Sequence, residues 1–178
     1  IFIYYLTPAK YRNLILLAGS LLFYAYGEPV YVFLLVVSSV INFAAGKRLV
    51  KKRKKKVNKN RALYVFMVAV DVLVLVFFKW APRMYWMPDT IGMPLGISFY
   101  TFQIISYLTD VYRGDIKAEQ SFIRLGTYIS MFPQLVAGPI VSYSEVAGDL
   151  RQRSYSLADV DKGMKNFVYG LSLKVLLA

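Results

Sequence analysis

Pro94–Asp115 reads PLGISFYTFQIISYLTDVYRGD, and its pattern decides what kind of fold surrounds it. Tyr100, Gln103, Tyr107 and Asp110 are spaced by three, four and three residues, so on a helix they share one side. Ile97, Thr101, Ile104, Ile105 and Leu108 cover the other side. Pro94 stands at the start of the segment and Gly114 closes it. A membrane helix that faced only lipid would have little use for a carboxylate, an amide and two phenols in line. The stretch predicts a helix that lines something.

The surrounding composition sets the class. Of 178 residues, 57% are hydrophobic, mean hydropathy is +0.46, and the apolar residues come in long runs. That is the profile of an integral membrane protein. The length allows several spans but no large soluble domain beside them. The net charge of +12 is concentrated in one place. Lys47–Arg61 (KRLVKKRKKKVNKNR) holds ten Lys or Arg and no acid, leaving twelve basic against ten acidic residues elsewhere. A basic block between two apolar runs is what the positive-inside bias produces in a cytoplasmic loop. Contact with anionic lipid headgroups is the functional alternative. The block has no interleaved aromatics, which argues against nucleic acid. With no cysteine, disulfides and thiolate metal sites are excluded, and there is no histidine either. Ile1–Leu6 is an apolar stub without a charged region before it, so it is not read as a signal peptide. The chain stops inside an apolar helical pattern at Ala178, and both ends are expected to be cuts in a longer protein.

Along the chain, Ile1–Leu6 reads as the tail of a first span and Pro8 breaks the turn after it. Arg12–Tyr26 and Val30–Gly46 form a helical hairpin across Gly27, Glu28 and Pro29, each on the short side of the ~20 residues that cross a bilayer. Tyr24, Tyr26 and Tyr31 suit the interface. After the basic loop, Ala62–Phe78 is apolar except for Asp71 at its middle. A carboxylate there costs at least ~2.5 kcal/mol by insertion scales. It should face a partner helix, either as an inter-helix hydrogen bond or in a functional role. Lys79–Met93 is a polar-aromatic connection with Trp80 and Trp86, and Pro94–Asp115 crosses back to Arg113 and Lys117. If the basic loop is cytoplasmic, Lys10, Arg12, Arg113 and Lys117 fall on its side. Gly27–Pro29 and the Trp-containing connection then lie outside, against the weak contrary vote of Lys79 and Arg83.

Ser121–Val141 (SFIRLGTYISMFPQLVAGPIV) is apolar but broken, because Pro133, Gly138 and Pro139 do not fit one continuous helix. It is a candidate re-entrant element, with an interfacial amphipathic connector as the alternative. Tyr143–Leu157 reads as a polar loop with a short helix. Ser156 with Asp159 forms a capping-box variant that starts a last helix, apolar at Val160, Met164, Phe167, Val168, Leu171 and Val175. The fold class is all-α and polytopic transmembrane, with a broken segment.

Walker A, dinucleotide-glycine and HExxH patterns are missing, and a nucleophile–His pair is impossible without histidine. PLGISFYTFQIISYLTDVYRGD followed by MFPQLVAGPI (Met131–Ile140) resembles the membrane-bound O-acyltransferase family. The similarity is greatest to its bacterial branch of alginate O-acetyltransferases and teichoic-acid D-alanine transferases. YRNLILLAGSLLFYAYGEP (Tyr11–Pro29) and GLSLKVLLA (Gly170–Ala178) are similar to the same branch. The resemblance implies a multi-span domain, of which residues 1–178 are the N-terminal part, with helices ringing a tunnel. It also implies an acyl-thioester donor such as acetyl-coenzyme A on the cytoplasmic side, and a hydroxyl acceptor on a lipid, protein or exported polymer. An acyltransferase outside the membrane is the implied partner, besides the bilayer. The family's catalytic His lies beyond the matched part, so no catalytic residue is expected up to Ala178, and no metal or bound cofactor. Tyr100, Gln103, Tyr107, Asp110, Gln134 and Pro139 are the tunnel-lining candidates, with buried inter-helix hydrogen bonding as the competing role. Arg113, Lys117 and Arg124 are candidates for donor phosphates or simple flanking charges. Two other classes stay open: a transporter or channel component, which broken helices and Asp71 suit equally, and a non-catalytic scaffold.

Overall fold

The computed structural model describes residues 4, 6–53, 57–80, 92–139, 141–151 and 156–177. Among them the regular structure is entirely helical. After a single 3-10 turn at Ala9–Tyr11 come α1 (Arg12–Gly27), α2 (Tyr31–Arg53), α3 (Val57–Trp80) and α4 (Ile97–Arg113). They are followed by α5 (Phe122–Ser130), α6 (Phe132–Ala137), α7 (Tyr143–Arg151) and α8 (Leu157–Leu177). Several expectations fall outside the described residues: most of the Ile1–Leu6 stub, Trp86 with most of its connection, Ile140, and Ala178.

The helices overrun the apolar blocks that predicted them. α2 continues from the apolar run into the basic block as far as Arg53, and α3 already begins at Val57. The block expected to be a loop is therefore largely helical at its two ends, with residues 54–56 not described. Lys and Arg are good helix formers, so charge ends an apolar stripe without ending a helix. The extra turns also remove the expected shortness of the hairpin's second arm. Tyr31–Val50 and Arg61–Trp80 are both long and apolar enough to cross a membrane.

Polarity runs inside out in these helices. Phe33, Ile41, Phe66, Leu73 and Phe77 are exposed, whereas Ser39, Asn42 and Asp71 are buried. In water this would be an unusually large apolar surface. In lipid it is the expected arrangement, with polar groups used between helices.

α4 occupies the centre. Ile97, Tyr100, Thr101, Gln103, Ile104, Tyr107, Leu108 and Val111 are all buried, so its polar stripe and its apolar side are both covered. Glycines permit the close packing at two points. Gly96 has φ +71°, and a Cβ there would collide with the Leu135 carbonyl oxygen. A Cβ on Gly46 would sit 2.8 Å from Tyr107 Oη, so α2 meets α4 across a bare backbone. Gly114 ends α4 in the left-handed conformation, its N–H donating to Asp110 O, as its place after the periodic run predicts.

The first four helices alternate in direction. At one end Tyr24 Oη donates to Leu95 O at 2.9 Å and Tyr31 Oη to Gly92 O at 2.9 Å. At the other, Tyr64 stacks on Tyr112 with centroids 4.4 Å apart, and Tyr64 and Thr109 share a 3.0 Å hydroxyl contact. The broken segment is broken where its prolines and glycine predict. α5 stops at Ser130 and α6 restarts with Pro133 in its first turn, where the missing N–H costs nothing. The backbone is extended again at Gly138. The capping box also forms: Ser156 N–H donates to Asp159 Oδ2 at 2.9 Å and Asp159 N–H to Ser156 Oγ at 3.2 Å. The α8 that follows is exposed along all its described side chains.

Candidate functional site

The polar groups of α4 meet the broken segment and the turn after α4. Gln103 Nε2 donates to Gln134 Oε1 at 3.4 Å, joining the middle of α4 to α6. Gln103 Oε1 has no partner among the described residues. One turn on, Tyr107 Oη accepts from the Glu119 N–H at 3.1 Å. Asp110 Oδ2 accepts from Ser142 Oγ at 3.2 Å, and its carbonyl caps the helix end. Tyr100 is buried on the same side, and its hydroxyl has no partner among the described residues. Of the six lining candidates, Tyr100, Gln103 and Tyr107 are fully buried, Asp110 and Gln134 are half-buried, and Pro139 is exposed. The structure brings Gln103 and Gln134 into direct contact. Tyr107 and Asp110 are instead tied to the connections that follow α4 and α6.

The Tyr107 tie leads to Glu119, which the sequence pattern does not single out. Its side chain is 1% exposed. Oε1 accepts from Arg124 Nε at 3.0 Å and Nη2 at 2.5 Å, and from the N–H groups of Gln120 and Ser121 at 2.7 and 3.0 Å. Oε2 accepts from Tyr143 Oη at 2.7 Å, with Arg151 Nη2 3.6 Å away. Burial alone would push this carboxyl up. The hydrogen bonds from Arg124, Tyr143, Ser121 and Gln120 outweigh it and hold the group at about 2, below its ordinary 4.5. The N–H donors belong to the residues just before α5, so the carboxylate also serves the positive end of that helix. Tyr143 lies edge-on between Tyr107 and Tyr128, with centroids 5.3 and 5.1 Å away. Glu119 thus clasps the end of α4 to α5 and α7. The only sequence signal was an acid standing five residues before Arg124.

The clasp revises one expectation. Arg124 gives two N–H groups to Glu119, so it is a structural partner rather than an open anion contact. Arg113 and Lys117 are exposed. Asp71 has the partner helix its depth requires: Asn42 Nδ2 donates to its Oδ1 at 3.0 Å. Among the described residues no group of His, Cys, Asp and Glu is arranged to hold a metal ion.

Comparison with known proteins concerns the chain as a whole. The chain is 33% identical over 190 residues to a probable alginate O-acetylase of Azotobacter vinelandii, covering 99% of this chain and 38% of that protein. It is 33% identical over 190 residues to the probable alginate O-acetylase of Pseudomonas aeruginosa, covering 99% of this chain and 36% of that protein. The chain is a homologue of the O-acetylases in the membrane-bound O-acyltransferase family. A peptidoglycan O-acetyltransferase of Helicobacter pylori is 28% identical over 218 residues, covering 98% of this chain and 41% of that protein. The chain therefore spans little more than a third of the length of the curated relatives it matches. No protein-family model and no solved structure matches it.

Proposed function

We propose that the protein carrying this chain is an O-acetyltransferase embedded in the cell membrane. It takes an acetyl group from a cytoplasmic thioester such as acetyl-coenzyme A and passes it toward an exported polysaccharide or cell-wall polymer. The observation that carries this reading is the identity to alginate O-acetylases over 99% of the chain. The two apolar helices supply the membrane part. The alternating helix directions support a multi-pass arrangement with Lys47–Arg61 at the cytoplasmic face.

In such a transfer the acceptor hydroxyl oxygen forms an ester bond to the acetyl carbonyl carbon. The carbon–sulfur bond breaks, the thiol leaves, and a base takes the hydroxyl proton. This chain has no histidine, so in this reading the base comes from the rest of the longer protein. The part assigned here is a wall. Gln103, Tyr100 and Tyr107 present polar groups inside an apolar bundle, α6 ends beside them, and the Glu119 clasp fixes the cytoplasmic end of α4. An acyltransferase outside the membrane completes delivery to the polymer.

The test uses membranes containing the full-length protein together with its outer acyltransferase, radiolabelled acetyl-coenzyme A on the cytoplasmic side and polymer acceptor outside. Alkali-labile label on the acceptor is expected, and none in membranes lacking the protein. Gln103→Leu and Tyr107→Phe are expected to lower transfer more than they lower the amount of protein in the membrane. Absence of ester label with wild-type protein overturns acyl transfer. Wild-type rates in both variants overturn the wall role.

A further inference from the structure

The positive charge of the chain is gathered at one end of the bundle. Lys47–Arg61 holds ten Lys or Arg and no acid, and both helices run into it, α2 as far as Arg53 and α3 from Val57. Arg61 stands one turn before Tyr64, whose ring stacks on Tyr112 beside Arg113. The cations of α3 and α4 therefore share that end, and Lys117 follows in the turn after α4. Arg48, Arg61, Arg113 and Lys117 are exposed, and none forms an ion pair among the described residues. The acids nearest to Arg113 and Lys117 in sequence are Asp110, which accepts from Ser142, and exposed Asp115. The opposite end of α1–α4 has only Glu28 and Lys79 as charges among the described residues, one of each sign.

Depth selects the partner. The stretches long and apolar enough to cross a membrane end at Val50 in α2 and begin at Arg61 in α3. Lys51, Lys52 and Arg53 follow Val50 on the same helix, within about 4.5 Å of it along the axis at the α-helical rise. Lys59 precedes Arg61 by two residues, about 3 Å. A headgroup layer is roughly 5–7 Å deep on each face of a bilayer, so the helices hold these positions among headgroups and not in the water beyond. Val50, Val65 and Phe66 are exposed at or just inside that level, so a cationic rim adjoins an apolar wall. That combination fits a phospholipid with an anionic head, charge at the rim and acyl chain along the wall. A soluble phosphate is held instead by donors closing round it, whereas these cations are exposed and spread over three helices. We propose that the ends of α2, α3 and α4 form a binding surface for anionic phospholipid headgroups, with Lys51, Lys52, Arg53, Lys59, Arg61 and Arg113 as its cations. It rests on the membrane part of the reading above and not on acyl transfer.

The test reconstitutes the full-length protein in phosphatidylcholine vesicles with a trace of spin-labelled phosphatidylglycerol or spin-labelled phosphatidylcholine. Electron paramagnetic resonance then gives the fraction of each label slowed at the protein surface. Phosphatidylglycerol is expected to be slowed several-fold more than phosphatidylcholine. The ratio should fall toward one in about 1 M salt, where the Debye length is about 3 Å. It should also fall in Lys51→Gln/Lys52→Gln/Lys59→Gln and stay high in Lys51→Arg/Lys52→Arg/Lys59→Arg, which keeps the charge. The other cations of the block remain in both variants and hold the orientation. Should the Gln variant not reach the membrane, the salt titration of the wild-type protein decides alone. Equal fractions for the two labels, a ratio indifferent to salt, or a ratio unchanged in the Gln variant overturns the proposal. So does a ratio abolished by inorganic phosphate at constant ionic strength, the mark of a soluble-anion site. Neither label slowed overturns the membrane reading as well.

Discussion

Glu119 and Asp71 are both buried carboxylates, one in the turn before α5 and one midway along α3. Glu119 is saturated, with a guanidinium, a phenol and two backbone N–H groups on its oxygens. Asp71 has one amide on one oxygen and nothing from the described residues on the other. Both are shielded from solvent, so exposure does not separate them. The difference lies in what surrounds each. Glu119 sits where chain ends and connections gather, and helix starts offer unsatisfied N–H groups there. Asp71 sits where every backbone N–H is already used inside a helix, so only side chains are left to meet it. A charge at a helix junction can be fully paired by local backbone. A polar group in mid-helix depends on what neighbouring helices bring.

The matched amide substitutions put this to the test. Glu119→Gln leaves Arg124 without a counter-charge and turns a donor toward the donors already there. It is expected to destabilise the protein by about 3 kcal/mol, the low end for breaking a buried pair because Arg124 is partly exposed. Thermal unfolding in detergent checks this, and a loss under about 1 kcal/mol would break the contrast. The same group gives a pH signature. Its carboxyl is held at about 2 in the folded protein and returns to about 4.5 when unfolded, so its contribution is complete above pH 4.5. It is lost as pH falls toward 2. Wild-type protein should therefore lose more stability than Glu119→Gln over that acid range, and parallel curves would count against the clasp.

A smaller effect is expected where the clasp meets α2. Gly46→Ala places a methyl 2.8 Å from Tyr107 Oη, the hydroxyl that accepts the Glu119 N–H. Overpacking of this kind costs about 1–3 kcal/mol. In the double variant Gly46→Ala/Tyr107→Phe the Gly46→Ala penalty should shrink, because the colliding oxygen is gone. Additive losses would show that the hydroxyl is not the cause and leave the collision to the Tyr107 ring, whose nearest carbon lies 3.0 Å from the added methyl.

Asp71→Asn comes next. The amide keeps an oxygen for Asn42 Nδ2 and offers a new donor for Asn42 Oδ1, so a change within about 1 kcal/mol is expected. A loss as large as that of Glu119→Gln would erase the distinction between the two sites. Smallest of all is Lys165→Ala. Its 2.7 Å bond to Asp161 is an exposed i,i+4 pair on α8, worth at most about 0.5 kcal/mol.

α4 and α8 show how far the sequence reaches. Both are helices whose existence follows from apolar periodicity, and both begin or end at a residue the sequence marks. Gly114 closes α4 and the Ser156–Asp159 box opens α8. The break at Pro133 and the exit at Gly138 were legible for the same reason, since each depends on the local backbone chemistry of one or two residues. The extent of α2 and α3 was not legible, because a switch from apolar to basic residues changes the surroundings of a helix but not its hydrogen bonds.

The candidate site divides in the same way. That Tyr100, Gln103, Tyr107 and Asp110 share a side of one helix is a matter of spacing, and the sequence determined it alone. What each one touches was decided by the tertiary structure. Gln134 reaches Gln103 across 31 residues, Asn42 reaches Asp71 across 29, and Tyr143 reaches Glu119 across 24. Periodicity fixes the direction of a side chain from its own helix axis and contains nothing about which other helix lies there. The turn that delivers Glu119 to Arg124 and the Cβ-free face of Gly46 that admits Tyr107 are products of packing, and only the folded chain brings them together.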